Sequence, residues 1–246
     1  MRLKKYIFFI LVVFSFLPPL NSYGAHTWTN IQDGLDYLVT SKKNQYDNYS
    51  TIHVLKIDLT KFSLKVLRAK DEKIGNTVEI LAKQAKAIAA INGGFFSEDH
   101  RSIGLLIQDG KTLNSLHKTS WWSIFSIKNN QPSIVTPGNF SPDKKIEMAI
   151  QVGPRLLIDG KIPNLKMSMA ARSAIGITAD GKVIIVGTNG AGISLQKLAT
   201  FLKTICVSAM ALDGGTSSQM WVESKKFKLS TGTPSLITNA IGVFGK

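Results

Sequence analysis

The sequence predicts an α+β protein built on mixed or antiparallel sheet, with many hairpins and two or three helices. Three observations point there. Asp-Gly followed by lysine occurs at 109–111, 159–161 and 180–182, each time beside an apolar run. Asp-Gly is the turn chemistry of a tight hairpin, because both positions tolerate positive φ. Short segments of alternating or continuous apolar character dominate the chain, and only two stretches open on a clear helix-start signal.

Taken in order, residues 34–39, 51–59 and 62–67 read as strands, the last two joined by a short Thr60-Lys61 turn. Asn76 then stands as a helix cap with Glu79 three residues on, the spacing of a capping box, for a helix over about 77–86. That helix feeds a strand at 87–92. Hairpin signals follow at 102–112, 122–128, 146–162 and 173–187. Residues 129–142 carry three prolines with Gly138 and Asn139, and read as an exposed loop. Ser194 caps a second helix over about 195–203, which leads into a strand at 206–212.

At 246 residues and 44% apolar content, the chain has ample material for a core and none of the profile of disorder. Residues 1–25 read as a signal peptide, leaving 26–246 as one domain. Arg2, Lys4 and Lys5 form the positive start, residues 6–17 the apolar stretch, Pro18-Pro19 the break, and Ser22, Gly24 and Ala25 the small residues at the cleavage site. The expected location is therefore periplasmic or secreted. No later segment approaches the roughly 20 apolar residues of a spanning helix, so no stable membrane span is expected after cleavage. Cys206 has no partner and reads as a small buried hydrophobe. The formal net charge is +14, yet only five of thirty basic residues are arginine and the lysines are scattered. With no basic block interleaved with aromatics, that pattern argues for a solvated basic surface and against nucleic acid.

Two segments carry the signature of chemistry. In Ala209-Met210-Ala211-Leu212-Asp213-Gly214-Gly215-Thr216-Ser217-Ser218, an apolar run delivers one carboxylate to a strand end. The glycines that follow let backbone approach a ligand closely. Ala89-Ala90-Ile91-Asn92-Gly93-Gly94-Phe95-Phe96 has the same design, which suggests two walls of one cleft. Unlike the Asp-Gly-Lys turns, Asp213-Gly214 is not followed at once by a returning apolar strand. Arg155, after the Gly153-Pro154 break, and Arg172 each stand at the mouth of a strand. An arginine there is either an ordinary surface residue or a guanidinium fork for phosphate or carboxylate.

Together these blocks resemble the phosphodiester glycosidase family. The matching pieces, in the family's order, are Asn92-Gly93-Gly94-Phe95-Phe96, Gly153-Pro154-Arg155-Leu156-Leu157, Arg172-Ser173-Ala174-Ile175-Gly176 and Leu212-Asp213-Gly214-Gly215-Thr216-Ser217-Ser218. Asn239-Ala240-Ile241-Gly242-Val243 is a fifth and weaker piece, and the whole covers roughly residues 35–244. Thr216 departs from the pattern, standing where the family usually has a third glycine.

The resemblance implies hydrolysis of the glycosidic C1–O bond of a sugar-1-phosphodiester, on a small-molecule or polymeric sugar-phosphate substrate. It implies Arg172 for the phosphate and Asp213 as nucleophile, base or electrostatic partner at the anomeric carbon. Asn92 would act on sugar hydroxyls together with Gly93 and Gly94. Gly153, Arg155, Gly214, Gly215, Thr216, Ser217, Ser218 and Asn239 fall to substrate binding. Glu98 and Asp99 are candidates for a second carboxylate, or are solvated loop charges. No spacing requires a cofactor, although a Ca²⁺ or Mg²⁺ shared by Asp213 and other oxygens is compatible with it. Two other readings stand beside this one. A non-catalytic envelope-glycan binder would use Trp121, Trp122 or Trp221 against sugars, unless those rings pack in the core. A serine hydrolase would use Ser217 or Ser218, but lacks the Gly-x-Ser-x-Gly pattern.

Overall fold

The computed structural model describes residues 26–44, 46–69 and 74–246, so the signal-peptide segment lies outside the described residues. Among the described residues three large sheets carry the chain, beside a two-stranded one that pairs Met169–Ala170 with Ile193–Ser194. The long sheet runs, in spatial order, Thr29–Gln32, Leu35–Lys43, Tyr49–Ile57, Val183–Gly190, Ser173–Ile177, Ser208–Ala211 and Arg155–Leu157. The terminal sheet, which holds the last strand, runs Lys228–Gly232, Gln219–Glu223, Ala89–Asn92, Asn239–Gly245 and Phe62–Arg68. The hairpin sheet runs Lys111–Asn114, Leu106–Gln108, Ile146–Val152, Ser123–Lys128 and Gln131–Val135. The ladders are antiparallel throughout these sheets, and with two helices the protein is α+β.

The period of two along each strand sorts side chains between layers. Ile175, Ile177, Val183 and Ile185 face a core shared with both five-stranded sheets, while Ala174, Ile184 and Val186 face the other way. The helix Leu195–Leu202 covers that second face with Leu195, Leu198, Ala199 and Leu202, one stripe at helical spacing. The helix Val78–Ala85 backs the terminal sheet, setting Leu81 and Ala82 against Ala90 and Trp221.

Four local expectations change. Thr77, not Asn76, caps the first helix, its hydroxyl accepting from Ile80 N at 3.3 Å. Asn76 is held out of the helix by a backbone pair with Ile237, and Glu79 bonds Lys83 one turn on at 2.6 Å instead of closing a capping box. The turn after Tyr49–Ile57 makes no hairpin, because that strand belongs to the long sheet and Phe62–Arg68 to the terminal sheet. Asp58 holds this crossing by accepting from Thr60 N at 2.8 Å and pairing with Lys182. Residues 129–142 are not all loop. Asn129 and Asn130 both take positive φ, making a two-residue turn, and Gln131–Val135 pairs as an edge strand where Pro132 removes no needed N–H. Finally, 146–162 is no single hairpin, since Ile146–Val152 lies in the hairpin sheet and Arg155–Leu157 in the long sheet. The chain changes sheet at Gly153-Pro154, where a Cβ on Gly153 would sit 2.9 Å from Trp122 Cα.

Candidate active site

The two glycine-pair segments end strands of different sheets, and the fold brings those ends into contact. Asn92 Nδ2 donates to the Asp213 carbonyl at 2.7 Å, and Asp213 N donates to the Gly93 carbonyl at 3.0 Å. Asn92 Oδ1 accepts from Ser173 Oγ at 2.6 Å and from Gln219 N at 3.1 Å. The expected two walls are therefore one stitched joint. Asn92 is only 1% exposed, and an amide suits the place because it donates and accepts at once. Asn239 does the same on the neighbouring strand, accepting from Gly94 N at 2.7 Å and donating to Ser102 Oγ at 3.0 Å. Gly93 is required here, since a Cβ would lie 2.0 Å from Asn239 Oδ1.

Asp213 is treated differently. It is half-buried, its Oδ1 accepts from Gly214 N at 2.9 Å, and the Ser217 hydroxyl also bonds it. Burial pushes its carboxyl above the usual range, and the two hydrogen bonds pull against that. The turn continues as a single 3-10 turn, Gly215–Ser217, with Gly215 at φ +64° and its N–H on the Ala171 carbonyl. Thr216 is exposed, and its carbonyl accepts from Ser235 Oγ. Ser218 Oγ is buried without a hydrogen-bond partner among the described residues. Among the described residues neither Ser217 nor Ser218 bonds a histidine.

Beside the joint opens a cavity of about 460 Å³, lined in part by Phe95, Trp121, Gly153, Lys166, Arg172 and Gly214. Arg172 is anchored by Nε on the Ile193 carbonyl at 3.2 Å and by Nη2 on Ser168. Its Nη1 lies 3.6 Å from where a Gly214 Cβ would be. Backbone and hydroxyl oxygens orient the guanidinium without neutralising it, and among the described residues no carboxylate pairs with it. Burial lowers its pKa from the ordinary arginine value, as expected for a cation partly removed from water. Lys166 adds a second cation to the lining, which includes no Asp or Glu. Leu195, first residue of its helix, also lines the cavity, so the positive end of that dipole abuts it.

The structure thus gathers Arg172, Gly153 and Gly214 at one cavity. Asp213, half-buried, stands in the chain between two lining residues, Leu212 and Gly214. Arg155 is elsewhere, in the wall of an adjoining cavity. Glu98 and Asp99 are exposed, and Asp99 pairs with Arg101 at 2.9 Å. Trp221 is core, under the first helix, whereas Trp121 is 56% exposed at the rim. Cys206 is buried against Gly176, and its thiol is pushed up to about 12. No three His, Cys, Asp or Glu side chains converge among the described residues. Asn164, Lys166 and Ser168 were invisible as site residues, because the segment joining Arg155–Leu157 to Met169–Ala170 carries no motif or period.

A cleft that holds Arg172 and Lys166 and no Asp or Glu in its lining thus opens beside the joint between two antiparallel sheets of a β-rich protein. The chain belongs to the phosphodiester glycosidase family, whose model matches residues 85–244. Among curated proteins it is 26% identical over 172 residues to the uncharacterized protein YigE of Escherichia coli, spanning 63% of this chain and 67% of that one. It is 27% identical over 169 residues to the uncharacterized prophage-derived protein YomE of Bacillus subtilis, covering 61% of this chain but 26% of that longer one. Among solved structures, the zebrafish N-acetylglucosamine-1-phosphodiester alpha-N-acetylglucosaminidase catalytic domain, auto-inhibited by its pro-peptide, superposes with a TM-score of 0.70. That likeness covers 86% of this chain and 83% of the other at 19% identity, and establishes a shared fold. A hypothetical protein from Synechocystis shares it too, with a TM-score of 0.63 at 16% identity, over 94% of this chain and 64% of that one.

Proposed function

We propose that this protein is an exported hydrolase that cleaves the glycosidic C1–O bond of a sugar-1-phosphodiester. The observation that carries the reading is the Arg172 guanidinium, oriented but unneutralised in a cleft whose lining includes no Asp or Glu, and set beside Gly214, the residue after Asp213. Arg172, with Lys166, takes the phosphate, the task a planar fork of donors suits. The phosphate is already a competent leaving group, so the demand falls on holding its charge and on stabilising an oxocarbenium-like state at C1. Asp213 supplies that negative charge and accepts the proton of the attacking water. The water oxygen bonds C1, the C1–O bond breaks, and its electron pair leaves with the phosphate as a phosphomonoester. Asn92 acts at one remove, fixing the Asp213 backbone through its carbonyl.

One observation favours a second reading, a glycan binder without turnover: Trp121, 56% exposed, stands in the lining of the cleft as a platform for a sugar ring. The two separate on one assay. Purified protein given N-acetylglucosamine 1-phosphate methyl diester is expected to release N-acetylglucosamine and methyl phosphate. Retained binding with no release would establish the binder instead.

A further inference from the structure

A second cavity, of about 230 Å³, adjoins the first and shares Trp121, Pro154, Asn164 and Leu165 with it. The two cavities therefore abut along these residues. Arg155 lines the second cavity. Its guanidinium is half-buried yet barely used: Nη2 donates to Ser208 Oγ at 3.3 Å, and Nε is buried without a partner. Asp159, in the exposed Asp159-Gly160 turn, acts on it electrostatically, and among the described residues Arg155 forms no ion pair. Two further residues of the wall, Trp122 and Ser123, are at least nine-tenths buried and carry polar atoms, Nε1 and Oγ, that also lack partners. Arg155 Nε, Trp122 Nε1 and Ser123 Oγ are enclosed and do not reach the cavity surface, so the donors that would meet an anion there are the outer N–H groups of the Arg155 guanidinium. Between the cavities, the exposed face of Trp121 offers the apolar platform on which a sugar ring packs.

We propose that the Arg155 cavity is a second anion subsite beside the first, and that the substrate is a glycan carrying anionic groups on successive sugars. In this arrangement Arg172 holds the scissile phosphodiester, Trp121 supports the sugar on the leaving side, and Arg155 takes the next anionic group along. The assignment of the first subsite rests on the function proposed above; the second is tested by binding alone. The probes are N-acetylglucosamine 1-phosphate methyl diester and its counterpart lengthened by a second sugar phosphate, titrated calorimetrically into the Asp213→Asn protein to prevent turnover. The longer probe is expected to bind about tenfold more tightly, and Arg155→Gln in the same background is expected to erase that preference. Equal affinity for the two probes, a preference that survives Arg155→Gln, or binding of neither probe would overturn the subsite. Thermal melting of the double variant separates a lost contact from a lost fold. Hydrolysis of the short diester by the unaltered protein is read separately, so a chain that binds with the expected preference but turns nothing over keeps the subsite and loses the proposed reaction.

Discussion

Asn92-Gly93-Gly94 and Asp213-Gly214-Gly215 look alike on paper, each an apolar strand closing on a polar residue and two glycines. In the fold they are opposites. Asn92 is buried with its amide engaged by three partners, whereas Asp213 is half-buried with its carboxyl raised above the ordinary range. The difference follows from charge. A neutral amide can be sealed between sheets once its donors and acceptors are met, but sealing in a carboxylate without a cation costs far more than its hydrogen bonds return. The joint therefore takes the asparagine, and the carboxylate is left beside the cleft.

Breaking this contrast at Asp213 should have the largest effect. Asp213→Asn is expected to lower turnover of a sugar-1-phosphodiester by at least about two orders of magnitude, the scale of a lost catalytic group; unchanged turnover would remove Asp213 from the mechanism. Because the fold raises the pKa of this acid, it disfavours the ionised form, and stability at this site is gained as pH falls through the raised value. The variant should therefore melt no lower than the parent at neutral pH. Activity should fall on acidification with a midpoint above the ordinary carboxylate pKa, which a pH–rate profile would show.

Asn92→Ala should do the reverse, costing about 2–3 kcal/mol of stability through orphaned buried partners, measured by urea denaturation. Arg172→Gln is expected to lower kcat/KM by roughly thirtyfold, about 2 kcal/mol, as one charge-assisted contact is lost, with little change in melting. An equal loss on an uncharged glycoside would show that Arg172 does not read phosphate. The smallest effect concerns the sheet crossing. Lys182 and Thr60 hold the Asp58 carboxyl at about 2, below its ordinary 3.8, so its contribution is present above pH 3.8 and fades as pH falls toward 2. Asp58→Asn should cost about 1 kcal/mol at neutral pH, since solvent screens a pair so near the surface, and nothing near pH 2.

What is local was legible in the chain. Tight-turn chemistry announced the hairpins at Asp109-Gly110 and Asp180-Gly181, Ser194 announced the second helix, and the glycine pairs marked the strand ends that matter. Asn129-Asn130 was legible too, as two residues that tolerate positive φ, but the prolines around it pointed to a loop.

The sequence by itself determined an α+β protein on mixed or antiparallel sheet with Asp213 and Arg172 at strand ends, because periodicity, caps and turns are set by neighbours in the chain. Only the tertiary structure decided that the two glycine-pair ends are one joint, that Asp58 and Gly153-Pro154 are crossings between sheets, and that Arg172 and Arg155 face different cavities. Those outcomes depend on which strand pairs with which, and on the space left where three sheets meet. A strand's own residues fix its two faces, but not its partner.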